Sequence, residues 1–354
     1  MDPAPVLQLI QTGQMPEHQL ILREHLYVPR LTSLEAYNKT HHHLPPPEAG
    51  QYLVADTGIE TLHWAERTTK TMAADEVSIR ILATALNFRD VLKAMQLYPG
   101  EAGDFGYECA GEVLATGSKV TRVKAGDKVI VTGTGLFGTD VIVSEHQVYL
   151  MPDNLTPEQG ASLPIVFLTA NYGLNILAKL KKGQKVLIHA ATGGVGLAAI
   201  ALAKLAGAEV YATTSAGKQA WLKEHLNVEQ VFDSRSTAFK EHLKDMDVIL
   251  NSLTGEGFIE ASLSCLKEGG TFLEIGKLNI YSKAEMSAIR PDVNYHIIAL
   301  DKRMQEEPEQ VREEMTGILS LFAANKLQAL PIKTFTVSDT MEAFHYLQHA
   351  KQIG

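Results

Sequence analysis

The sequence contains little cysteine: Cys109 and Cys265 are the two cysteines in 354 residues, and they are far apart. Two distant cysteines provide neither a disulfide framework nor a metal-binding knuckle. Sparse cysteine is typical of a protein from a reducing compartment. We therefore expect a cytoplasmic protein without structural disulfides.

Long apolar runs and an excess of positive charge are also missing. No run reaches the roughly 18 residues that a membrane-spanning helix requires. The amino-terminal MDPAPVLQLIQTGQMPEHQ has neither the basic start nor the apolar stretch of a secretory signal. The net charge of −9 is spread along the chain, which argues against nucleic acid or an anionic membrane as a partner. What remains is a globular protein, for which 45% hydrophobic and 21% charged residues are ordinary values.

The length and the local patterns indicate two domains, because 354 residues are too many for one ordinary core. Residues 1–50 are interpreted as a linker or edge segment, and their HHHLPPPEAG as a solvated loop, since three consecutive histidines do not converge on one metal ion. Residues 51–165 contain short strand patterns broken by glycine, such as EVSIRILATAL and GDKVIVTG. They predict a twisted antiparallel β domain. We expect residues 327–354, which have strand and helix signals of their own, to complete that domain.

Residues 166–326 have a different texture, in which apolar strands alternate with helices. KVLIHA, AEVYATT, DVILNSL and TFLEIG are buried strand patterns, and helical patterns such as GLAAIALAKLAG separate them. This alternation predicts a doubly wound parallel sheet. The fold class is therefore α/β, with an antiparallel β domain followed by a parallel-sheet domain.

The stretch HAATGGVG, which follows the strand KVLIHA, predicts a dinucleotide-binding loop. Gly193 and Gly194 would let the backbone approach a pyrophosphate at the start of a helix, whose free N–H groups favour an anion. Gly196 would allow close packing of helix and strand. Thr192 and Val195 belong to the same loop. The alternative is a tight strand–helix turn without a ligand.

The end of the next strand, YATTSAGK, distinguishes between the two nicotinamide dinucleotides. An NAD site needs an acidic side chain here to accept from the ribose 2′-hydroxyl, and no Asp or Glu occurs between Val210 and Trp221. Hydroxyls of Thr214 and Ser215 and the ammonium of Lys218 suit a 2′-phosphate. Arg235, after the third strand, would add a bidentate contact. The sequence therefore predicts NADPH, with solvated surface cations as the alternative for the last two residues.

A catalytic zinc site would need about three ligands from Cys, His and acidic residues in the β domain. ALNFRDVL offers Asn87, and GYECAGEV offers Glu108. No Cys–His pair and no cluster of four cysteines is present in the sequence. We therefore expect catalysis without a metal.

Several motifs in order resemble the enoyl reductase domains of modular polyketide synthases: ATALNFRDVLKAMQLYPG, GYECAGEVLATGSKV, HAATGGVGLAAIALAKLAGAEVYAT, DVILNSLTGE and GGTFLEIGK. Those domains belong to the zinc-free branch of the medium-chain dehydrogenases/reductases and are similar to the enoyl reductase of animal fatty acid synthase. The resemblance implies a GroES-like β domain and a Rossmann domain. It covers about residues 75–350, and HQLILREHLYVPRLT resembles the linker that precedes such domains. Because the family usually continues beyond AKQIG into a last strand, we expect a domain from a longer polypeptide.

The resemblance implies NADPH-dependent reduction of a 2-enoyl thioester on an acyl carrier protein, with hydride added at Cβ and a proton at Cα. Lys277 matches the lysine that this family places near the nicotinamide. Asp301 matches an acidic residue of the fatty acid synthase pattern, although polyketide domains place theirs where this chain has Ala299. Tyr98 matches a tyrosine that in some members accompanies one configuration of an α-methyl centre. Structural roles are the alternatives: a strand cap, a solvated acid and a packed aromatic, respectively.

The resemblance assigns further contacts by position. Asn87 stands where metal-dependent relatives carry a ligand, and its amide would bond to the substrate or the nicotinamide ribose. Arg89 and Asp90 are expected to brace its loop. Thr169 matches a cofactor-contacting threonine, and the end of DVILNSL would lie along the nicotinamide, because strand C-termini face the ligand crevice. The remaining expected cofactor contacts are Asn251, Ser252, Leu253 and Gly276.

Alternatives to this function remain open from the sequence. One is a stand-alone zinc-free quinone oxidoreductase, and another is an NADPH-binding pseudo-enzyme. If the substrate carries a leaving group at Cγ, attack by Cα would close a cyclopropane instead of accepting a proton. We expect neighbouring megasynthase domains as partners, and the resemblance leaves room for a homodimer.

Overall fold

The computed structural model describes residues 43–354 apart from 69 and 100–102, together with two short strands nearer the amino terminus. These are β1 (Ile21–Leu22) and β2 (Leu26–Tyr27), which pair antiparallel and belong to a separate unit of the chain. The interpretation of residues 1–50 as a linker or edge segment lies largely outside the described residues. No helix in the described ranges is long and apolar enough to cross a membrane.

Within residues 44–354, the first sheet has five antiparallel strands in the order β8-β5-β6-β7-β9. Alternate side chains on β5 and β7, such as Val77, Ile79, Val129 and Val131, are fully buried in its core. A separate hairpin of β3 and β4 precedes it. The strands are β3 (Gln51–Val54), β4 (His63–Glu66), β5 (Glu76–Thr84), β6 (Glu108–Thr116), β7 (Lys128–Thr132), β8 (Asp140–Ser144) and β9 (Val148–Leu150).

The second sheet is six-stranded and parallel throughout, in the order β12-β11-β10-β13-β14-β15. Its central strands are apolar runs, because helices cover both faces of such a sheet. The chain order reverses between β10 and β13, and ligands of doubly wound folds bind at this switch point. The strands are β10 (Lys185–Ile188), β11 (Glu209–Thr214), β12 (Gln230–Asp233), β13 (Met246–Asn251), β14 (Leu266–Glu274) and β15 (Asn294–Ile297).

The helices follow the same division between the two sheets. Helices between successive parallel strands pack on the second sheet, whereas the last helix packs against the helix Phe88–Ala94 and the turn Ile59–Thr61. The helices are α1 (Phe88–Ala94), α2 (Pro157–Ala161), α3 (Pro164–Asn171), α4 (Gly194–Leu205), α5 (Gln219–Leu226), α6 (Phe258–Cys265), α7 (Lys283–Ile289), α8 (Leu300–Glu306), α9 (Pro308–Ala323) and α10 (Thr340–Gln348). A π-helical turn (Tyr172–Leu177) continues α3, and short 3-10 turns span Ile59–Thr61, Glu145–Gln147, Ala216–Lys218, Thr237–Glu241 and Val337–Asp339.

The carboxyl-terminal helix α10 lies against the part of the chain that carries the antiparallel sheet. Phe344 and Met341 of α10 are buried in one cluster with Leu53 of β3 and with Val91 and Ala94 of α1. The two sheets are the antiparallel and doubly wound sheets predicted from the sequence. The domain boundaries at residues 50, 165 and 326 stay predictions.

Candidate active site

A cavity of about 1200 Å³ lies where the carboxyl ends of β10 and β13 meet the antiparallel sheet. The glycine loop after β10 and the segment after β14 form one wall, and α1 with the residues before it forms another. Of the sequence-predicted site residues, those lining the cavity are Asn87, Tyr98, Thr169, Gly193, Gly194, Val195, Gly196, Ser252, Gly276, Lys277 and Asp301. The cavity therefore coincides with the switch point of the parallel sheet, where ligands of this fold class bind.

The glycine loop has the geometry of an anion-binding turn. Helix α4 begins at Gly194, and Gly193 is its N-cap, so the free N–H groups of the helix start face the cavity region. Ala190 turns the chain with φ of +47°. A Cβ on Gly196 would lie 2.6 Å from Cα of Ala191 and 2.7 Å from the carbonyl oxygen of Ala190. Only glycine permits this close approach of helix to strand.

The side chains expected to contact a 2′-phosphate differ in their burial and in their hydrogen-bond partners. Thr214 is 2% exposed and Thr192 is 4% exposed, and their hydroxyls pair at 2.7 Å in the protein interior. Ser215 begins the short turn Ala216–Lys218 and is half-buried. Lys218 donates from Nζ to the carbonyl oxygens of Ala350 and Gln352, at 2.7 and 2.6 Å. The buried Thr214 hydroxyl is therefore not available to a phosphate, whereas Ser215 lies at the end of the strand.

Lys218 and Arg235 lie close enough for their charges to interact. Burial lowers the pKa of the Lys218 ammonium, and the Arg235 guanidinium lowers it further. Two neighbouring cations repel each other unless an anion joins them. A phosphate group would relieve this repulsion.

Asn251 supports the site from below the cavity wall instead of lining it. It is fully buried, and Nδ2 donates to Oε2 of Glu274 at 2.6 Å and to the carbonyl oxygen of Leu253 at 3.3 Å. Oε1 of Glu274 accepts from the backbone N–H of Gly276 at 2.7 Å. Burial raises the pKa of Glu274 to about 7, although these donors oppose it. Leu253, like Asn251, is outside the described cavity wall, and this network fixes the segment leading to Lys277.

Ser252 and Thr169 present polar side chains at the cavity. The Ser252 hydroxyl oxygen is buried and has no hydrogen-bond partner among the described residues. An orphaned buried hydroxyl is costly unless a ligand or water satisfies it. Thr169, on α3, is 8% exposed and also lines the cavity. Together with the glycine loop, these residues fit a bound dinucleotide.

Three of the residues predicted to be catalytic lie near one another on the wall: Asp301 contacts Tyr98, and its charge acts on Lys277. Asp301, at the start of α8, lies 3.1 Å from Nη1 of Arg89 and 3.5 Å from the Tyr98 hydroxyl, measured at its Oδ2. Lys277 donates from Nζ to the carbonyl oxygen of Ile298 at 3.1 Å. Burial lowers the pKa of Lys277, against the attraction of Asp301. Burial alone would raise the pKa of Asp301, but the Lys277 and Arg89 cations together with backbone N–H donors hold that pKa below its usual range.

Asn87 lies on another part of the wall and is oriented by a buried acid. Its Nδ2 donates to Oε1 of Glu108 at 2.9 Å, and Oε2 of Glu108 accepts from the backbone N–H of Ile165 at 2.7 Å. Glu108 is 1% exposed, and burial raises its pKa to about 8. This carboxyl therefore connects the loop before α1 to the start of α3.

Sequence reasoning missed the position of Arg89. Its neighbour Asp90 braces the loop as expected: Oδ2 accepts from the Asn87 backbone N–H and Oδ1 from that of Gly106, both at 2.9 Å. Arg89, in contrast, lines the cavity, with its guanidinium 4.5 Å from the ring centre of Tyr98 and 4.2 Å from that of Tyr107. Only its place beside Asn87 in the sequence pointed to the site.

The donor set around Asn87 does not fit zinc. Among the described residues, no group of three or more His, Cys, Asp or Glu side chains is arranged to hold a metal ion. Cys109 is fully buried in the core of the antiparallel sheet, and burial raises the pKa of its thiol. A thiol must be deprotonated to bind a metal. The amide of Asn87 and the hydrogen-bonded carboxyl of Glu108 leave too few ligands for a zinc site.

Two family models match the chain in the order of the two sheets. A model described as an alcohol dehydrogenase GroES-like domain matches residues 73–153. A model described as a zinc-binding dehydrogenase matches residues 226–354. The second description names zinc binding, which the donor set around Asn87 does not support.

Solved structures and curated sequences resemble the chain over most of its length. The CurK enoyl reductase is 37% identical with a TM-score of 0.81, covering 86% of this chain and 97% of that one. The CurF ER cyclopropanase from the curacin A biosynthetic pathway is 35% identical with a TM-score of 0.82 and the same coverage. A phenolphthiocerol/phthiocerol polyketide synthase protein of Mycobacterium tuberculosis is 37% identical over 291 residues, which are 79% of this chain. The chain spans 13% of the length of that relative.

Proposed function

Because the chain belongs to the enoyl reductases of polyketide synthases, in the medium-chain dehydrogenase/reductase superfamily, we propose that it reduces a 2-enoyl thioester carried by an acyl carrier protein. Hydride from NADPH would add to Cβ, and a proton would then reach Cα. The observation that carries this proposal is the meeting of Lys277, Asp301 and Tyr98 in the cavity that the glycine loop borders.

NADPH, when bound, supplies the hydride. On the chain's side, the N–H groups at the start of α4 would hold the pyrophosphate, and the orphaned Ser252 hydroxyl would take a partner from the nucleotide. For the 2′-phosphate we propose Ser215, Lys218 and Arg235, without Thr214. The phosphate would compete for the Lys218 ammonium with the two carbonyl oxygens that it now contacts.

We assign Lys277, which lines the cavity, to the second half of the proposed reaction. Hydride addition at Cβ places negative charge on the thioester oxygen, and a nearby ammonium stabilises that charge. Asp301 favours the charged form of Lys277, so the lysine would hold a proton to share with the oxygen. The Tyr98 hydroxyl would give a proton to Cα from one face. Asn87, fixed by Glu108, would contact the substrate or the nicotinamide ribose.

No step of this mechanism needs a metal ion. The residues at the place of a zinc ligand are an amide and a buried, hydrogen-bonded carboxyl. The proposed reduction therefore uses Lys277 and hydrogen-bond donors instead of a metal ion. We propose, as partners, the acyl carrier protein, neighbouring domains of a megasynthase and a second copy of the chain, and the cytoplasm as the location.

Cyclopropane formation is a second candidate outcome, since a relative described as a cyclopropanase is 35% identical and the CurK enoyl reductase is 37% identical. Both outcomes begin with hydride addition at Cβ. They separate afterwards: Cα either takes a proton or displaces a leaving group from Cγ, in which case the Cα–Cγ bond forms and the halide leaves with the electron pair. The two sequence identities are too similar to distinguish reduction from cyclopropane formation, so the reaction product has to be analysed.

The test is product analysis by mass spectrometry with the purified chain and NADPH. A plain 2-enoyl thioester should yield the saturated thioester with one NADPH consumed for each product. A γ-halogenated 2-enoyl thioester should yield the saturated halide for a reductase and the halide-free ring for a cyclopropanase. Reduction of a free quinone with neither thioester consumed would replace the proposal with a quinone oxidoreductase. NADPH binding without turnover of any of these would make the chain a pseudo-enzyme.

A further inference from the structure

Arg89 occupies a place that its role as a loop brace does not explain. Its guanidinium lies over the rings of both Tyr98 and Tyr107, at 4.5 and 4.2 Å from their centres. With aromatic rings near the guanidinium, its N–H donors are left to act in its own plane. One of these donors, at Nη1, reaches Oδ2 of Asp301 at 3.1 Å. The side chain is 21% exposed, so the ion pair is partly shielded from water.

This ion pair joins two helices that border the cavity, α1 and α8. Arg89 belongs to α1, whose start is fixed by Asp90 through the backbone N–H groups of Asn87 and Gly106. Asp301 belongs to α8, which is held from the other side because Arg303 makes two hydrogen bonds to Glu314 of α9, at 2.9 and 2.6 Å. Both partners therefore stand on anchored helices.

The Arg89–Asp301 ion pair also determines which groups accept hydrogen bonds from the Lys277 ammonium. In the described structure Nζ of Lys277 donates to the Ile298 carbonyl oxygen, while Oδ2 of Asp301 faces Arg89 and Tyr98. Without Arg89, the Asp301 carboxylate would be free to turn and bond directly to the ammonium. A lysine engaged in that way would have a weaker donor left for the thioester oxygen.

We infer that Arg89 is a positioning residue, which holds the Asp301 carboxylate beside Tyr98 at the cavity wall and so leaves the Lys277 ammonium free to donate to the substrate. The inference rests on the proposed reduction of an enoyl thioester. It assigns to Arg89 an effect on rate, on product configuration and on the ionisation of Lys277, without contact with the cofactor.

The charges around Lys277 give this role a signature. Asp301 and Glu274 raise its pKa, and Arg89 lowers it. The groups facing Arg89 itself are Asp301, Tyr98 and Tyr107, with Asp90 and Lys93 on its own helix. Removing the guanidinium charge removes a repulsive neighbour, so the pKa of Lys277 should rise. A residue that merely supports the fold would leave that pKa unchanged.

The test compares Arg89→Gln and Arg89→Lys with a control, Arg122→Gln. Arg122 is a surface arginine outside the cavity wall, 4.0 Å from Glu309. Arg89→Gln should lower kcat by about 10- to 100-fold, since an error of about 1 Å in placement can cost a hundredfold. KM for NADPH should stay unchanged, α-methyl products should lose configurational purity, and the basic limb of the kcat profile should move to higher pH. Arg89→Lys should keep the limb in place, because it restores the charge, but should not restore rate or configuration.

A second readout does not depend on turnover. Competitive acetylation of Lys277 over a range of pH, followed by peptide mass spectrometry, should report a higher pKa in Arg89→Gln than in the unmodified chain or in Arg122→Gln. An equal fall in kcat at every pH, with configuration and acetylation unchanged, would reduce Arg89 to a structural role, and full rescue by Arg89→Lys would rule out the need for its planar geometry. If the unmodified chain does not reduce enoyl thioesters, the proposed function fails, while the acetylation comparison still decides whether Arg89 controls Lys277.

Discussion

Gly196→Ala tests whether the close approach of α4 to the loop after β10 is needed for cofactor binding. The new methyl group would lie 2.6 Å from Cα of Ala191 and 2.7 Å from the carbonyl oxygen of Ala190, and both atoms belong to the backbone. Carbon atoms in favourable contact are about 3.5–4.0 Å apart, so the helix start must move by about 1 Å. Overpacking of this kind costs about 1–3 kcal/mol of stability. It is offset in part by the gain of about 1 kcal/mol when alanine replaces glycine in a helix.

The matched control is Gly317→Ala in α9. Gly317 is exposed, and a Cβ there meets no atom within 4 Å, so this variant should show the helix gain alone. NADPH affinity, measured by fluorescence titration, should fall at least about tenfold in Gly196→Ala, because the N–H groups that face the pyrophosphate move with the helix, and a 1 Å misplacement can cost about a hundredfold. Thermal unfolding should place Gly196→Ala below Gly317→Ala. Unchanged NADPH affinity and an unchanged melting temperature in Gly196→Ala would refute this reading of the loop.

The remaining predictions concern four variants, at Lys218, Lys277, Tyr98 and Glu108. Lys218→Glu should weaken NADPH far more than NADH in parallel titrations, and equal losses would remove Lys218 from the 2′-phosphate site. Lys277→Ala should slow enoyl thioester turnover by roughly a hundredfold or more, since one lost donor to a developing oxyanion costs about 2.7–4 kcal/mol. A near-full rate in Lys277→Ala would assign stabilisation of the thioester oxygen to Asn87 or backbone amides. Tyr98→Phe should keep more of the rate but give α-methyl products of mixed configuration. Burial raises the pKa of Glu108 from 4.5 to about 8, so the contribution of its neutral form to stability is fully present below pH 4.5 and is lost as the pH rises through 8. The melting temperature should therefore fall less steeply between pH 5 and 9 in Glu108→Gln than in the unmodified chain. Parallel slopes for the two proteins would contradict the raised pKa.

The sequence was most informative where one local pattern fixes one local structure. The apolar strands and small-residue helices predicted the parallel sheet, and HAATGGVG predicted a helix that begins at a glycine loop. Strand alternation could not place Thr214, because helices cover both faces of the parallel sheet and the last three residues of β11 are buried whichever face they are on. The neighbouring strand β12 and the loop after β10 enclose it.

Contacts between residues far apart in the chain were beyond pattern reasoning. Arg89 and Asp301 are separated by 212 positions, and Tyr98 and Asp301 by 203. Resemblance to a family brought Lys277, Asp301 and Tyr98 to one reaction, but only the fold places Arg89 beside them and over two aromatic rings. Glu274 and Glu108 look like ordinary strand residues in the sequence, and their burial became visible with the packing of the two sheets.

The most direct measurement is the fate of the two hydrogens added to a 2-enoyl thioester. NADPH that carries deuterium at its transferred position, used in ordinary water, should give a saturated thioester with one deuterium at Cβ and none at Cα. Unlabelled NADPH in heavy water should place deuterium at Cα instead. Nuclear magnetic resonance of the product distinguishes the two positions. Deuterium from NADPH at Cα, or NADPH consumed with a quinone while the thioester stays intact, would contradict the proposed reduction.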